Sequence, residues 1–463
     1  MTRTDDPQVP TGRSGPSFQE LLDREAVDVP DTLRRTAFVP LGTADLSMAR
    51  YTSKAWHDLE VEHMWSRVWQ VACHDDDIPG VGDSIVYEIG DVSLIVVRTI
   101  EGIRAYHNSC LHRGRLLRVG PGTLSELRCP FHGFTWSLEG ALTSIPSPWD
   151  FEHLDWSQAC LPQAKVGQWA GWIFVNLDDS AESLADYLGT LTTHWEMWSR
   201  EPRTKTLHVT KLIPCNWKLG LAAFLESYHT IATHPQLLQN LDDVNTEYDI
   251  YPDEPHFNRM ISAQGVSSPH LGHPLSEQEI FDSLGGNGDG SAVLQEGDSA
   301  RRAIANRVRK DLSAQAGRAV VCTDSEAIDG IQYFVFPNFV PWGGYAPINY
   351  RFRPNGNDPE SAIMELMLLA PTPVGAVRRP VEPIELDYGD SWTSVRELGR
   401  LAQIFEQDMA NLDVIQRGIR ASRKGAVTLA AYQESRIRHF EQTLDRYVIA
   451  GMAASGNPGA SEG

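Results

Sequence analysis

Cys110-Leu111-His112-Arg113-Gly114 and Cys129-Pro130-Phe131-His132-Gly133-Phe134-Thr135-Trp136 decide the reading of this chain. Each stretch offers one thiolate and one imidazole within a short turn, with sixteen residues between His112 and Cys129. Two such loops can grip one metal centre from opposite sides. A Cys2His2 set also suits tetrahedral zinc. Zinc modules, however, more often pair Cys with Cys and His with His along the chain. One Cys and one His in each loop is what a 2Fe-2S cluster needs when one iron takes two thiolates and the other two imidazoles. Gly114 and Gly133 let backbone amides approach the sulfurs, and Phe131, Phe134 and Trp136 limit solvent. Cys110, His112, Cys129 and His132 are therefore the candidate cluster ligands.

The surroundings agree. Short β-rich runs separated by Gly, Pro and Asp turns occupy residues 84–89, 93–97 and 171–175, the pattern of a small antiparallel β-domain. Ahead of them residues 53–70 carry Trp56, Leu59, Met64 and Val68 at helical spacing. Residues 1–45 hold much Pro, Asp, Arg and Thr and read as an arm. Beyond Asp178 the texture changes. Residues 183–198 and 217–233 read as helices, and strands are expected at 206–213, 331–336, 348–352 and 362–369. A polar stretch over 265–320, broken at Gly285-Gly286-Asn287-Gly288, reads as an insertion able to act as a lid. Helices return from Thr393 to about Tyr447, and residues 451–463 read as a disordered tail. The boundaries expected are 1–45, 46–177, 178–450 and 451–463. No internal repeat is visible.

A second constellation lies in Asn216-Trp217-Lys218 and Phe224-Leu225-Glu226-Ser227-Tyr228-His229-Thr230-Ile231-Ala232-Thr233-His234-Pro235. Glu226 and His229, three apart, share a helix face. His234 lies five after His229 and on an ideal helix points away. The helix must end or distort near Thr233, as Pro235 also suggests, before both imidazoles can reach one ion. Two histidines with one carboxylate form the facial triad of non-haem Fe(II), with positions left open. Against this stands the ordinary use of a histidine pair in packing or on a surface.

Both constellations together resemble the catalytic alpha subunit of Rieske non-haem iron oxygenases, the ring-hydroxylating type. Cys-x-His-Arg-Gly followed by Cys-x-x-His-Gly-x-x-Trp is matched at every fixed position, and Asn-Trp-Lys followed by Glu-x-Tyr-His-x-x-x-x-His resembles the mononuclear-iron segment. The resemblance covers about residues 45–447. It implies an α+β chain: a small antiparallel β Rieske domain and a larger catalytic domain with a twisted antiparallel sheet flanked by helices. It implies one 2Fe-2S cluster and one Fe(II), the latter on His229, His234 and a downstream aspartate. Asp408, in Ile404-Phe405-Glu406-Gln407-Asp408, resembles that aspartate, and Asp413 competes with it. Glu226 stands where the family usually has an aspartate bridging the iron site to the cluster of a neighbouring subunit. Glutamate occurs there in relatives acting on quaternary amines or non-aromatic substrates. Ala222 is a further departure, since many relatives carry a polar residue there.

The implied partners are dioxygen, a small molecule and a reductase passing electrons from NAD(P)H, with or without a ferredoxin. The implied activity is hydroxylation or dihydroxylation of an apolar, aromatic small molecule. The alternatives are a monooxygenase or demethylase of a quaternary amine and, outside the class, a Rieske electron carrier. Aromatics over 331–345, with Leu221, Phe224 and Leu225, suit either an apolar pocket or an aromatic cage for a cation. The segment Tyr432–Phe440 resembles relatives that assemble as homotrimers, and a separate beta subunit stays open.

Composition sets the outer limits. Of 463 residues, 41% are hydrophobic, and 61 acidic against 40 basic residues give a net charge of −21. Such a surface repels phosphate backbones, so no nucleic-acid partner is expected. No membrane span is expected either, since the longest apolar run, Met364 to Ala370, contains Glu365. Six cysteines are too few for a disulfide scaffold, and the start lacks an apolar leader, so a cytoplasmic location is expected.

Overall fold

Val and Ile crowd the strands Asp83–Ile89 and Val92–Thr99, and Ile103 and Tyr106 mark a third, Gly102–His107, where branched and aromatic side chains pack well on a pleated surface. In this computed structural model, which describes residues 14–285 and 292–454, those strands form an antiparallel meander. Gln163–Trp169, Trp172–Asn176 and Gln70–His74 extend it on one side and Gly122–Thr123 on the other, giving seven strands. A three-stranded sheet of Leu127–Arg128, Thr135–Trp136 and Leu142–Ser144 stands beside it. The second Cys-His loop is the tip of its first hairpin. Ile95, Val97, Tyr106, Leu127, Phe134 and Trp136 form a small core of their own beneath both loops.

The larger part is an eight-stranded sheet. Its order runs Glu247–Asp249, Phe257–Ser262, Gly330–Val335, Phe339–Pro341, Ile348–Asn355, Asp358–Pro371, Arg203–Ile213 and Ile384–Leu386. Every pairing is antiparallel except the last, where Ile384–Leu386 runs parallel to Arg203–Ile213. The helix Trp217–Ala222 packs on Ile348–Asn355 and Asp358–Pro371, and the 21-residue helix Leu401–Ala421 lies against it. Each buried face is the apolar one. Phe405 and Leu412 point inward while Arg417 and Arg420 stay at the surface.

Asn216-Trp217-Lys218 turns out to be a junction. Trp217 packs between Trp65 and Phe440, with ring centroids at 5.1 and 5.5 Å. Lys218, wholly buried, pairs with the equally buried Glu60 and donates to the Arg50 carbonyl at 2.6 Å. Glu60 also accepts from Trp217 Nε1 at 3.0 Å. The pair thus ties the segment entering the β-domain to the segment that carries the histidines. Removing one partner of such a pair strands the other charge in a dry interior.

Several expected elements are interrupted. The helix expected over 53–70 is Lys54–Glu60 followed by a wider π turn, Val61–Trp65, and gives way to the strand Gln70–His74. That over 183–198 divides at Gly189, whose φ of +52° ends Leu184–Leu188 before Leu191–Ser199 starts. That over 217–233 survives only as Trp217–Ala222 and Thr230–Thr233. Between them tertiary hydrogen bonds displace the helical ones. The Leu225 carbonyl accepts from Arg436, and the Ser227 amide donates to the Tyr248 hydroxyl at 3.0 Å. Glu226 and His229 therefore meet across a turn, not along a helix face.

The described part of the arm is fixed. Ser17 and Glu20 form a capping box on the helix Phe18–Leu22, whose Phe18 and Leu22 enter the main core. The described part of the insertion holds the helices Glu277–Ser283 and Ala300–Ala316 around Ile280, Phe281, Ala300 and Ile304. Gly286-Asn287-Gly288 lie outside the described residues. At the far end, the helix Ser435–Ala454 runs into the expected tail, of which residues 455–463 lie outside the described residues.

Three buried histidines make the fold acid-sensitive. Burial pushes His194, His256 and His439 each down from 6.5 to about 4. Between those values the unfolded chain binds protons that the folded chain refuses. The contribution of these three is thus full above pH 6.5 and falls as pH drops toward 4. Each histidine contributes a loss on the order of 1 kcal/mol between pH 7 and 5.5. Urea midpoints at pH 7.0, 6.0 and 5.5 check this; a constant midpoint contradicts it.

Candidate metal centres

The two Cys-His loops are geometric copies. In the first, the Cys110 amide donates to the Arg115 carbonyl and the Gly114 amide to the Cys110 carbonyl, both at 2.9 Å. In the second, the Cys129 amide donates to Phe134 at 2.8 Å and Gly133 to Cys129 at 2.9 Å. The fourth residue after each cysteine is thus a glycine with positive φ, +72° at Gly114 and +78° at Gly133. A side chain there is strained, which is why both motifs end on glycine. Only the histidine offset differs, two residues in one loop and three in the other.

This doubling brings the four side chains together. The Cys110 and Cys129 thiols contact each other, and the His112 and His132 rings meet edge to face at 4.5 Å. Burial pushes the Cys110 thiol up. At Cys129 burial is outweighed by the backbone amides of Phe131 and His132, which hold its thiol below the ordinary value. His112 stacks on Phe134 at 4.8 Å, and its Nδ1 is buried with no hydrogen-bond partner among the described residues. A sulfur pair ringed by amides and a buried nitrogen lacking a partner suit a 2Fe-2S cluster with thiolates on one iron and imidazoles on the other. Phe131 departs from the expected shielding role, being 55% exposed.

The second centre assembles from two distant segments. His229 precedes Thr230–Thr233, and His234 follows it with φ −125° and ψ 51°, where Pro235 forces the chain to turn. Asp408 projects inward from Leu401–Ala421. One ligand atom from each of His229, His234 and Asp408 lies within 4.8 Å of the others. Asp408 Oδ1 is 2.8 Å from His234 Nε2 and 3.5 Å from His229 Nε2. Asp413, five residues on, is turned away and half exposed, paired with Arg417 at 3.2 Å.

Glu226 serves His229 twice: Oε1 lies 2.6 Å from Nδ1, and Oε2 accepts the His229 backbone amide at 2.9 Å. Burial disfavours an imidazolium, yet the Asp408 and Glu226 carboxylates prevail and push His229 up to about 10. At Asp408 burial is likewise outweighed, here by the two histidines, and the carboxyl is held below its usual range. The sequence reading passed over Gln407, whose Oε1 lies 2.9 Å from His234 Nδ1. Its only signal was adjacency to Asp408. Two imidazoles and one carboxylate converging from one side are a donor set that fits a ferrous ion with open positions.

An aromatic cluster adjoins this centre at Tyr350, whose hydroxyl lies in the field of Asp408. Phe224 meets Tyr350 at 4.9 Å and Phe352 at 5.2 Å, while Phe405 lies 5.0 Å from Trp392 and 6.0 Å from Tyr350. Burial raises the Tyr350 hydroxyl well above its ordinary value, with the Asp408 charge adding to it. A cavity of about 780 Å³ lies elsewhere, between Ile85–Glu88 of the β-domain and the sheet face bearing His208, Thr210, Arg351 and Glu365.

Family models match both parts. "Rieske [2Fe-2S] domain" matches residues 68–155, and "Ring hydroxylating alpha subunit (catalytic domain)" matches residues 191–450, more than half of the chain. The chain belongs to the ring-hydroxylating alpha-subunit family. As a member it resembles the anthranilate 1,2-dioxygenase large subunit of Acinetobacter baylyi, 32% identical over 42% of this chain and 43% of that protein. The chloroplastic choline monooxygenase of Beta vulgaris is 28% identical over 51% of this chain and 52% of its own length. The chain thus spans about half the length of the curated relatives it matches. Among solved structures, the quaternary ammonium Rieske monooxygenase CntA with L-carnitine superposes with a TM-score of 0.62 at 16% identity, covering 88% of this chain and 96% of that one. Naphthalene 1,2-dioxygenase from Rhodococcus sp. bound to indole gives 0.60 at 22% identity, covering 88% and 94%. These likenesses show that this ring-hydroxylating alpha-subunit chain shares their fold. No helix among its described residues is long and apolar enough to cross a membrane.

Proposed function

We propose that this chain is the oxygenase component of a multi-component system, hydroxylating or dihydroxylating an apolar, aromatic small molecule with dioxygen. The observation that carries the proposal is the convergence of His229, His234 and Asp408, within 4.8 Å, in a chain that also pairs its Cys-His loops. In this reading residues 46–177 house the cluster on Cys110, His112, Cys129 and His132, and residues 178–450 hold Fe(II) on His229, His234 and Asp408. The chemistry supplied when both groups are bound is one-electron delivery at the cluster and dioxygen activation at the ferrous ion.

The chain's own residues set the conditions. His229 and His234 present Nε2 to the centre while Glu226 and Gln407 hold their Nδ1 sides. To Glu226, buried behind His229 at 9% exposure, this reading gives the link to the cluster of a neighbouring copy. Phe224, Tyr350, Phe352 and Phe405 exclude water and give substrate an apolar surface in place of a charged anchor. A reductase, with or without a ferredoxin, is the electron source, drawing on NAD(P)H. A homotrimer is the assembly we favour, with a separate beta subunit left open, and the cytoplasm the location; none of the six cysteines is disulfide-bonded.

A second reading is oxygenation of a quaternary amine. It is favoured by Glu226 in place of aspartate and by choline and glycine betaine monooxygenases among the similar proteins. The aromatic cluster suits a cation equally well.

The test is iron content followed by product analysis. About three irons per chain are expected, against two for an electron carrier and none for a zinc protein. With a reductase, dioxygen uptake should rise with either aromatic or trimethylammonium compounds and match product formed. Two irons, or no uptake with any compound, refutes the proposal.

A further inference from the structure

Two histidines of the mononuclear centre are braced in different ways. His229 has a carboxylate behind it, from Glu226. His234 has a neutral amide: Gln407 Oε1 lies 2.9 Å from Nδ1. A carbonyl oxygen only accepts, so the Nδ1 facing it carries the proton. That amide is itself paired with a second one. Gln236 Nε2 donates to the same Gln407 Oε1 at 2.7 Å, and Gln407 Nε2 returns a bond to Gln236 Oε1 at 3.4 Å. The pair also bridges the turn after His234-Pro235 to the helix carrying Asp408, so it joins the two segments whose meeting makes the centre.

We infer that Gln407 is a positioning residue that holds His234 as its Nδ1–H tautomer and thereby aims the Nε2 lone pair at the metal position beside Asp408. The inference rests on the reading that His229, His234 and Asp408 hold Fe(II). A ligating histidine whose second nitrogen loses its partner can rotate and can adopt the wrong tautomer. Loss of such a partner typically weakens metal binding by about 10- to 100-fold. Gln407 is adjacent to Asp408, so one turn of one helix supplies both a ligand and the brace for another ligand. It is half-buried on a helix of 21 residues, so a leucine there leaves the fold in place.

The test is Fe(II) affinity, measured on protein with its cluster intact after the mononuclear iron has been removed by a chelator and Fe(II) is titrated back. Gln407→Leu should bind Fe(II) about 10- to 100-fold more weakly than the unaltered chain. Gln407→Glu keeps an acceptor oxygen and should bind within about threefold of it or more tightly, a rescue that simple packing does not give. The cluster absorbance should be the same in both. Gln407→Leu within twofold of the unaltered chain, or Gln407→Glu as weak as Gln407→Leu, overturns the inference. His229→Ala separates the two claims. Unchanged binding in that variant fails the reading of the centre itself; weak binding there beside normal Gln407→Leu fails the role of Gln407 alone.

Discussion

His229→Ala should abolish product formation and lower the iron content from about three to about two per chain, while the visible spectrum of the cluster persists. The centre is built from three side chains, and Asp408 Oδ1 lies 2.8 and 3.5 Å from the two imidazoles. Removing one imidazole leaves a single histidine and a carboxylate, a bidentate set too poor to hold a ferrous ion against water. It also removes the imidazole facing Glu226 Oε1, leaving that buried carboxylate only the backbone amide of residue 229. The Cys-His loops rest on a separate core of their own, so their spectrum is an internal control. Turnover retained by His229→Ala would reject the assignment of this site.

Glu226→Gln should keep both metal complements yet cut product formed by prereduced protein by about 100-fold. Its two oxygens accept two N–H groups of the same residue, His229 Nδ1–H and the backbone amide. A glutamine offers one acceptor and one donor, so one of those N–H groups must face an NH2. The negative charge that supports His229 is lost as well. Glu226→Asp keeps the charge one methylene shorter and should fall between the two. Cluster reduction by dithionite should be equally fast in all three. Single-turnover product at the unaltered rate in Glu226→Gln would discredit the role given to this residue.

The Cys-His loops were readable because every bond that shapes them closes within five residues. Cys110 to Arg115 and Cys129 to Phe134 are local turns, and the glycines at their positive-φ corners are visible in the sequence. The strands were readable from their β-branched runs. The helix expected over 217–233 failed for the opposite reason. Its middle bonds to Arg436 and Tyr248, residues that helical periodicity knows nothing of. The arm differs: Ser17-x-x-Glu20 with Phe18, Leu21 and Leu22 at helical spacing is a local signal that the reading of residues 1–45 passed over, and only the core that Phe18 and Leu22 enter is a tertiary matter. Asp408 and Asp413 look alike in one segment. They point apart because five residues turn a helix by about 140°, and only one of those directions faces the histidines.

By itself, then, the order of residues determined the chemistry of the paired Cys-His loops, since donor type and loop spacing are local properties, while the second centre and the α+β class came from the resemblance its motifs carry. Tertiary structure alone decided which acid joins His229 and His234, that Glu226 and Gln407 brace them, and that Lys218 and Glu60 lock the two parts together. Those groups lie up to about 180 residues apart in sequence. Burial makes each such contact strong and each unmet group costly, and burial exists only once the chain has closed on itself.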